Sequence, residues 1–349
     1  MKIHMYEEFP NFGDALNRFI WPQWFGEELA KDDDILMFGI GTLLGQKITH
    51  TGKVIVCGSG CGYEPKLENV DKDNWDIFFV RGPLTAMALG LPESIAITDP
   101  AILTPRVIPK APPSGEIIFV PHWETSRNVL WQQACKDAGI TYVDPLGDTK
   151  EIVEKISSAK LVIAEAMHAA ILADAYRVPW VAVSTSARIN KFKWEDWGRS
   201  LSVLPHFYDM KPLGLSDVLR HMLGDVETAS VLEKRVLSKD AASAGKKYYS
   251  GGAVMHALNT VYRLLTTKKF RGRLEFYAFW NFGPRIDRVI SKYPNFFLFK
   301  KLIARSYAEL SMLAKREGQL SPLEVAQEKS EKVIRKLEEI KISLSISSV

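Results

Sequence analysis

The chain has 349 residues, 46% hydrophobic and 25% charged, with a formal net charge of +4. That composition fits a globular protein long enough for two domains, and so mild a charge gives no ground for a nucleic-acid partner. Three cysteines are too few for a disulfide framework and point to a reducing compartment; no stretch is long and apolar enough to span a bilayer, and MKIHMYEEFPNFGD has no apolar signal region.

Ile3–Tyr6 reads as a short strand, followed by a loop over Glu7–Asp14. In Asn11-Phe12-Gly13-Asp14 the glycine lets backbone approach a ligand, and Asp14 can cap the next helix or act on a substrate hydroxyl. Leu16–Phe25 reads as a helix broken at Pro22. Ile35–Phe38 and Val54–Cys57 read as strands that run into Gly39-Ile40-Gly41 and Gly58-Ser59-Gly60. Neither turn completes a dinucleotide fingerprint or carries a phosphate-loop lysine. Cys57 and Cys61 lack the second ligand pair that zinc requires, so no metal is expected.

Ile77–Val80 is a further strand, after which Arg81 is presented as Pro83 opens a helix over Leu84–Leu89. A guanidinium there suits carboxylate or phosphate, the ordinary alternative being a surface ion pair. Asp99-Pro100-Ala101 sets a carboxylate at another such place. Thr104–Gly115, TPRVIPKAPPSG, is proline-rich and aperiodic, the best domain linker in the chain.

Beyond the linker the pattern repeats. Ile117–Val120 is a strand ending at Pro121-His122, Asn128–Ala138 a helix, Thr141–Val143 a strand and Thr149–Ser158 a helix. LVIAEAMHAAILADAYRVPWVAVS then gives a βαβ unit: strand Leu161–Ala164, a helix stopping before Pro179, and a strand from Trp180. His168 falls in the first turn of that helix, just after Glu165-Ala166-Met167. In an open parallel sheet ligands collect beyond the carboxyl ends of the strands, and a helix N-terminus there favours anions. Arg188, Lys191 and Lys193 follow the next strand, in TSARINKFKWEDWG. Arg81, His122, His168 and these cations all lie past strand ends, where one cleft gathers them around a substrate with several negative charges.

The organisation expected is α/β: two Rossmann-like domains, 1–110 and 111–214, facing across a cleft, with a helical extension over 215–349. Between Arg263 and Lys301 ten basic residues meet only Glu275 and Asp287, with ten aromatics interleaved. An anionic membrane surface attracts that combination, and a helical arm packed on its own domains is the alternative. No nucleic-acid module is visible. Ser321–Ile342 reads as an amphipathic helix of mixed charge.

The ordered series NFGDALN, GIGTLLG, CGSGCG, VRGPLTAMALG, DPAIL, FVPH, LVIAEAMHAAILADAYRVPWVAV and KFKWEDW resembles the polysaccharide pyruvyl transferases, and looks closest to bacterial exopolysaccharide enzymes of the succinoglycan kind. It runs from Met1 to about Phe207. The resemblance implies a fold similar to GT-B and transfer of pyruvate from phosphoenolpyruvate to two hydroxyls of a sugar, forming a ketal. That chemistry needs an acid, a base and a phosphate clamp, but no redox cofactor and no obligatory metal. On this reading His168 and His122 are catalytic. Arg81, Arg188, Lys191 and Lys193 grip the donor. Asn11, Asp14, Gly41, Ser59, Asp99 and Glu165 line the cleft or its acceptor side. The acceptor is an exopolysaccharide sugar or its lipid-linked repeat, and the enzyme is cytoplasmic or peripheral at the inner face of the plasma membrane. A nucleotide-sugar glycosyltransferase of the same fold and a non-catalytic assembly protein are the competing readings.

Overall fold

The computed structural model describes residues 1–5, 10–29, 34–62, 67, 69–71, 74–186, 189–222, 283–292 and 297–346. Short apolar runs build two sheets. The first holds β1 (Lys2–His4), β2 (Ile35–Phe38), β3 (Lys53–Cys57) and β4 (Asp76–Phe79), in the order β1-β2-β3-β4. The second holds β5 (Ile117–Val120), β6 (Thr141–Tyr142), β7 (Leu161–Ala164), β8 (Trp180–Ser184) and β9 (Phe207–Asp209), in the order β6-β5-β7-β8-β9. Neighbouring strands are parallel throughout. Every residue of β2, β7 and β8 is buried, which is why their sequences are apolar without alternation.

The α/β class with parallel sheets is therefore as expected, but the sheets wind differently. The first advances in one direction, and Val80 extends it through a bridge to Ala96. The second reverses between β5 and β7, which puts a crevice at their carboxyl ends.

Helix α1 (Phe12–Ala15) runs almost directly into α2 (Asn17–Leu29). The break expected at Pro22 lies instead at Gly26, whose φ of 73° and ψ of 175° are open to glycine alone. Helix α3 (Pro83–Leu89) starts on its proline, and α6 (Thr149–Ser158) is capped by Asp148, which accepts from Glu151 N at 3.0 Å. Between the sheets lie α4 (Thr104–Val107) and the rest of the proline-rich stretch. It is strapped down rather than loose: Tyr176 Oη donates to Ile108 O (2.7 Å), Lys110 Nζ to Tyr176 O (2.8 Å) and Ala111 N to Ser157 Oγ (3.2 Å). Helices α5 (Leu130–Asp137), α7 (Met167–Ala175) and α8 (Lys191–Ser200) complete the layers around the second sheet.

The C-terminal part is helical in α9 (Leu215–Met222), α10 (Gly283–Ser291), α11 (Phe297–Leu313) and α12 (Leu323–Ile346). Of the basic, aromatic stretch, 263–282 and 293–296 lie outside the described residues. Asp287 is not one of its solvated counter-charges. It is fully buried and accepts from Leu215 N (2.7 Å), Ser216 N (2.9 Å) and Ser216 Oγ, so α10 caps α9 from 71 residues away. Helix α12 buries Val333, Leu337, Ile340 and Leu344, an amphipathic stripe, against α2 and the 3-10 turn Pro100–Leu103. Burial of those four side chains is worth roughly 6–12 kcal/mol as an upper bound. The largest apolar cluster therefore draws on both sheets, from Ile35 and Ile55 to Ile118 and Val162, with α12 joining it.

Candidate functional site

The carboxyl edges of the two sheets meet. Asn190 Nδ2, ahead of α8, donates to Gly62 O at 2.6 Å, and Phe12 N at the start of α1 donates to Pro145 O at 3.3 Å. Between these contacts lie most of the polar residues that the sequence places past strand ends.

Asn11 caps α1. Its Oδ1 accepts from Gly13 N (3.1 Å) and its Nδ2 donates to Asp14 Oδ2 (2.8 Å), which fixes the Asp14 carboxyl in an almost buried position. Past β2, Asn17 donates to Ile40 O (3.0 Å) and accepts from Ile40 N (2.8 Å), holding the glycine turn. Gly41 is left-handed with φ 134°, and its carbonyl accepts from Ser59 Oγ (3.1 Å) and Gly60 N (3.0 Å). Gly41 and Ser59 thus stitch β2 to β3 beside Asp14.

His168 occupies the first turn of α7 and is 9% exposed. Its Nε2 faces Asp99 Oδ2 at 3.8 Å, too far for a hydrogen bond, and neither buried atom has a hydrogen-bond partner. The other Asp99 oxygen caps the 3-10 turn by accepting from Ala101 N at 3.0 Å. On the far side of the ring lies Gly13: a β-carbon there would fall 1.9 Å from His168 Nδ1. The glycine of NFGD is required by this approach, not by a turn. Gly13→Ala is accordingly expected to displace the imidazole and lower activity at least tenfold, with a circular dichroism spectrum like the parent's; unchanged activity would show that the ring position is unimportant.

The protonation states follow from burial. Burial, then the charges of Lys193 and Arg81, hold the His168 imidazole down to about 3, so it is neutral near pH 7. Burial pushes the Asp14 carboxyl up to about 7; Lys193 opposes this, Asp99 adds to it and the Asn11 hydrogen bond opposes it. Burial likewise raises Asp99 to about 6, against the pull of Ala101 N–H and Arg81. Near neutrality the site is therefore a neutral imidazole beside a mostly ionised Asp99 and an Asp14 poised between its two states.

These shifts act on stability with opposite signs. A carboxyl raised on folding keeps a proton that the unfolded chain loses, so stability falls with rising pH between the ordinary value of 3.8 and about 7 for Asp14. A depressed histidine does the reverse, and stability rises between about 3 and 6.5 for His168. Asp14→Asn is therefore expected to gain stability relative to the parent as pH climbs from about 4 to about 8, with the gain complete just above pH 7. Denaturant melts across that range check it, and a constant difference would remove the Asp14 assignment.

Arg81 is fully buried. Its Nε donates to Asp196 Oδ2 (3.0 Å), Nη1 to Thr42 Oγ1 (2.7 Å) and Nη2 to Cys61 O (3.1 Å). Asp196, on α8, also accepts from Thr85 N (2.8 Å) and Thr85 Oγ1 (2.6 Å) at the start of α3. Glycine is needed around this pair: β-carbons would fall 2.2 Å from the Arg81 guanidinium at Gly60 and 2.1 Å from Asp196 O at Gly82.

Glu165 is also fully buried. It accepts from His122 N (2.9 Å), Thr185 N (2.9 Å) and Thr185 Oγ1, so one carboxylate ties the ends of β5, β7 and β8 together. The half-buried His122 ring stands beside Trp123, and its Nδ1 accepts from Glu124 N at 3.4 Å. Lys193 is half-buried in the first turn of α8, and its charge bears on both Asp14 and His168. Lys191 turns the other way: it is exposed, 3.5 Å from Asp209 and 5.0 Å over the Phe207 ring. Arg188 lies outside the described residues. Cys57 and Cys61 are buried, free thiols, and burial pushes Cys61 up to about 12.

Sequence reasoning missed Gly13 as a packing partner of His168, and it missed Asp196. The signal for Asp196 is an acid between aromatics in KFKWEDW, where Phe192, Trp194 and Trp197 are all buried.

Residues 12–187, about half of the chain and most of the strand ends described above, match the family model for polysaccharide pyruvyl transferase. Over 211 residues the chain is 42% identical to the succinoglycan biosynthesis protein ExoV of Rhizobium meliloti (strain 1021). That match covers 58% of this chain and 66% of the relative, just under two thirds of its length.

Proposed function

As the chain belongs to the polysaccharide pyruvyl transferase family, we propose that it transfers pyruvate from phosphoenolpyruvate to a sugar of an exopolysaccharide or its lipid-linked repeat unit, closing a ketal on two hydroxyls. The observation that carries the reading is the buried group of His168, Asp99 and Asp14, reached by the charges of Lys193 and Arg81. The name of the similar protein, a succinoglycan biosynthesis protein, supports an exopolysaccharide acceptor.

The chemistry assigns a task to each group. A proton added to the methylene carbon of phosphoenolpyruvate turns C2 into an electrophile. One sugar hydroxyl adds at C2 and gives up its proton, the C2–O bond to phosphate breaks, and the second hydroxyl closes the ring and gives up its own. One of the two hydroxyl protons replaces the one spent on the methylene; the other leaves with phosphate. Asp14, which holds its proton up to about pH 7, fits the donor to carbon. His168, neutral in the free protein, takes a hydroxyl proton once the negative charges of bound phosphoenolpyruvate raise its basicity. Lys193 and Arg188 grip phosphate and carboxylate, with Arg81 adding positive potential from its buried position. His122, Asn11, Gly41, Ser59 and Glu165 shape the walls, and Lys191, exposed beside Asp209, is the outermost of the cations proposed for the donor. This reaction calls on no redox cofactor and no obligatory metal.

The same reading takes the first sheet and its helices, 1–110, and the second, 111–214, as facing Rossmann-like domains of the GT-B kind, with 215–349 as an extension. Among the described residues no helix is long and apolar enough to cross a membrane. The basic, aromatic composition of 263–301 supports a cytoplasmic enzyme that meets a lipid-linked acceptor at the anionic inner face of the membrane. Flotation of the full chain with anionic but not neutral vesicles is the expected result for that part; equal flotation with both would remove it.

The deciding experiment incubates the protein with phosphoenolpyruvate and a defined acceptor oligosaccharide. Release of phosphate with the mass gain of one ketal-linked pyruvate is expected. Thermal stabilisation by nucleotide sugars but not by phosphoenolpyruvate, with no mass gain, would overturn the reading in favour of glycosyl transfer.

A further inference from the structure

At the amino-terminal end of β8, the end away from His168, the loop joining α11 to α12 folds back on the second sheet. Trp180 and Gln319 exchange backbone hydrogen bonds of 3.1 and 2.7 Å. The Gln319 amide is fixed at both ends: Oε1 accepts from His206 N (2.9 Å) and Nε2 donates to Leu204 O (2.8 Å). Gly318 has a φ of 79°, and a β-carbon there would lie within 3.0 Å of Leu161, Pro179 and Trp180. The loop is thus held in place by the protein alone.

Between this loop and the sheet is a cavity of about 330 Å³, lined, with the loop's own Gly318 and Gln319, by Val181, His206, Tyr208, Lys315, Arg316 and Glu317, so that two cations outweigh one carboxylate at its rim. It is at the small end of the range for ligand sites, room for one monosaccharide with its substituents. Its walls are of two kinds. The His206 and Tyr208 rings meet edge to face at 4.8 Å, with buried Val181 beside them, and form an apolar corner. Arg316 lies 5.0 Å over the Tyr208 ring. Among the described residues its side chain makes no hydrogen bond or ion pair, and neither does that of Lys315. A cation–π contact of this kind uses none of the guanidinium N–H donors, which leaves them open to take a carboxylate through two parallel hydrogen bonds.

We propose that this cavity is a second, non-catalytic binding site for a single sugar ring carrying a carboxylate, with the ring in the His206–Tyr208 corner and the carboxylate on Arg316 and Lys315. The site is separated from the end of β8 beside Glu165 by roughly 13 Å of strand. A pyruvate-ketal sugar is such a ligand, and only that identification rests on the function proposed above. Inorganic phosphate shares the anionic chemistry but lacks the ring.

Isothermal titration of the full chain with methyl glucuronoside, methyl glucoside and inorganic phosphate tests the site. The glucuronoside is expected to bind, the glucoside and phosphate at least tenfold more weakly. Arg316→Ala and, separately, Lys315→Ala are expected to weaken the glucuronoside at least tenfold and threefold, with phosphate release from phosphoenolpyruvate unchanged. No binding by the parent, equal binding by parent and Arg316→Ala, or phosphate binding as tightly as the glucuronoside would overturn the proposal. A methyl glycoside bearing the pyruvate ketal separates the two readings. If it fails where the glucuronoside binds, the identification with the product falls and the site stands; if no pyruvyl transfer is found, glucuronoside binding still decides the site.

Discussion

His168→Gln is expected to lower turnover by about 10²–10⁴-fold while leaving the protein folded. Glutamine preserves charge here, because the imidazole it replaces is held neutral, its pKa depressed to about 3. The electrostatics around Asp14 and Asp99 therefore stay as they are, and what is lost is a ring nitrogen that can take a proton. The substitution is also mild sterically, since glutamine is flexible enough to thread between Gly13 and Asp99, the two groups that pin the ring. Single-turnover phosphate release reads the chemical step, and a melt in parallel reads the fold. A variant that is folded and turns over at the parental rate would show that His168 only packs. Loss of rate through a raised KM alone would instead make it a binding group for the donor.

The second large effect concerns stability. Asp196→Ala is expected to cost about 3–5 kcal/mol, because it leaves the buried Arg81 guanidinium without the carboxylate it is paired with. It also strips Thr85 N of its acceptor at the start of α3. A buried pair holds more by the penalty for breaking it than by the benefit of having it. The double variant Arg81→Met/Asp196→Leu is therefore expected to be more stable than Asp196→Ala, although it carries two changes. Arg81→Lys is not a conservative substitute, since one ammonium cannot reach Asp196, Thr42 and Cys61 O from a single plane as the guanidinium does. Denaturant titration checks both expectations. A loss below about 1 kcal/mol for Asp196→Ala would mean that Arg81 finds water or another partner, and that the contact between α3 and α8 does not depend on it.

What was legible in the sequence was whatever local pattern fixes. Runs such as Ile35–Phe38 and Leu161–Ala164 announce buried parallel strands, and each was found where its apolar residues lie. Proline at position 83 and the βαβ rhythm around His168 set α3 and α7 to within a residue or two. Pro22 misled because the chain carries its helix past the proline and yields at Gly26, where a left-handed residue costs nothing sterically. Pairings between distant residues were not legible. Nothing in VRGP says that Arg81 faces an aspartate 115 residues later rather than a substrate, and nothing in KFKW says that Lys193 turns inward while Lys191 turns toward Asp209. The three-residue strand β9 is too short to give a periodic signal at all.

The position of α12 has a consequence for how the protein is made. Among the described elements it is translated after all the others, yet its stripe of Val333, Leu337, Ile340 and Leu344 covers elements made long before it, α2 and the turn at Pro100–Leu103. During synthesis the first sheet and α2 leave the ribosome with an apolar flank that α12 does not yet shield, and more than two hundred residues separate the turn at Pro100–Leu103 from α12. Chains ending before Leu323 are therefore expected to expose that flank, and the covering of α2 is completed only when α12 packs onto it.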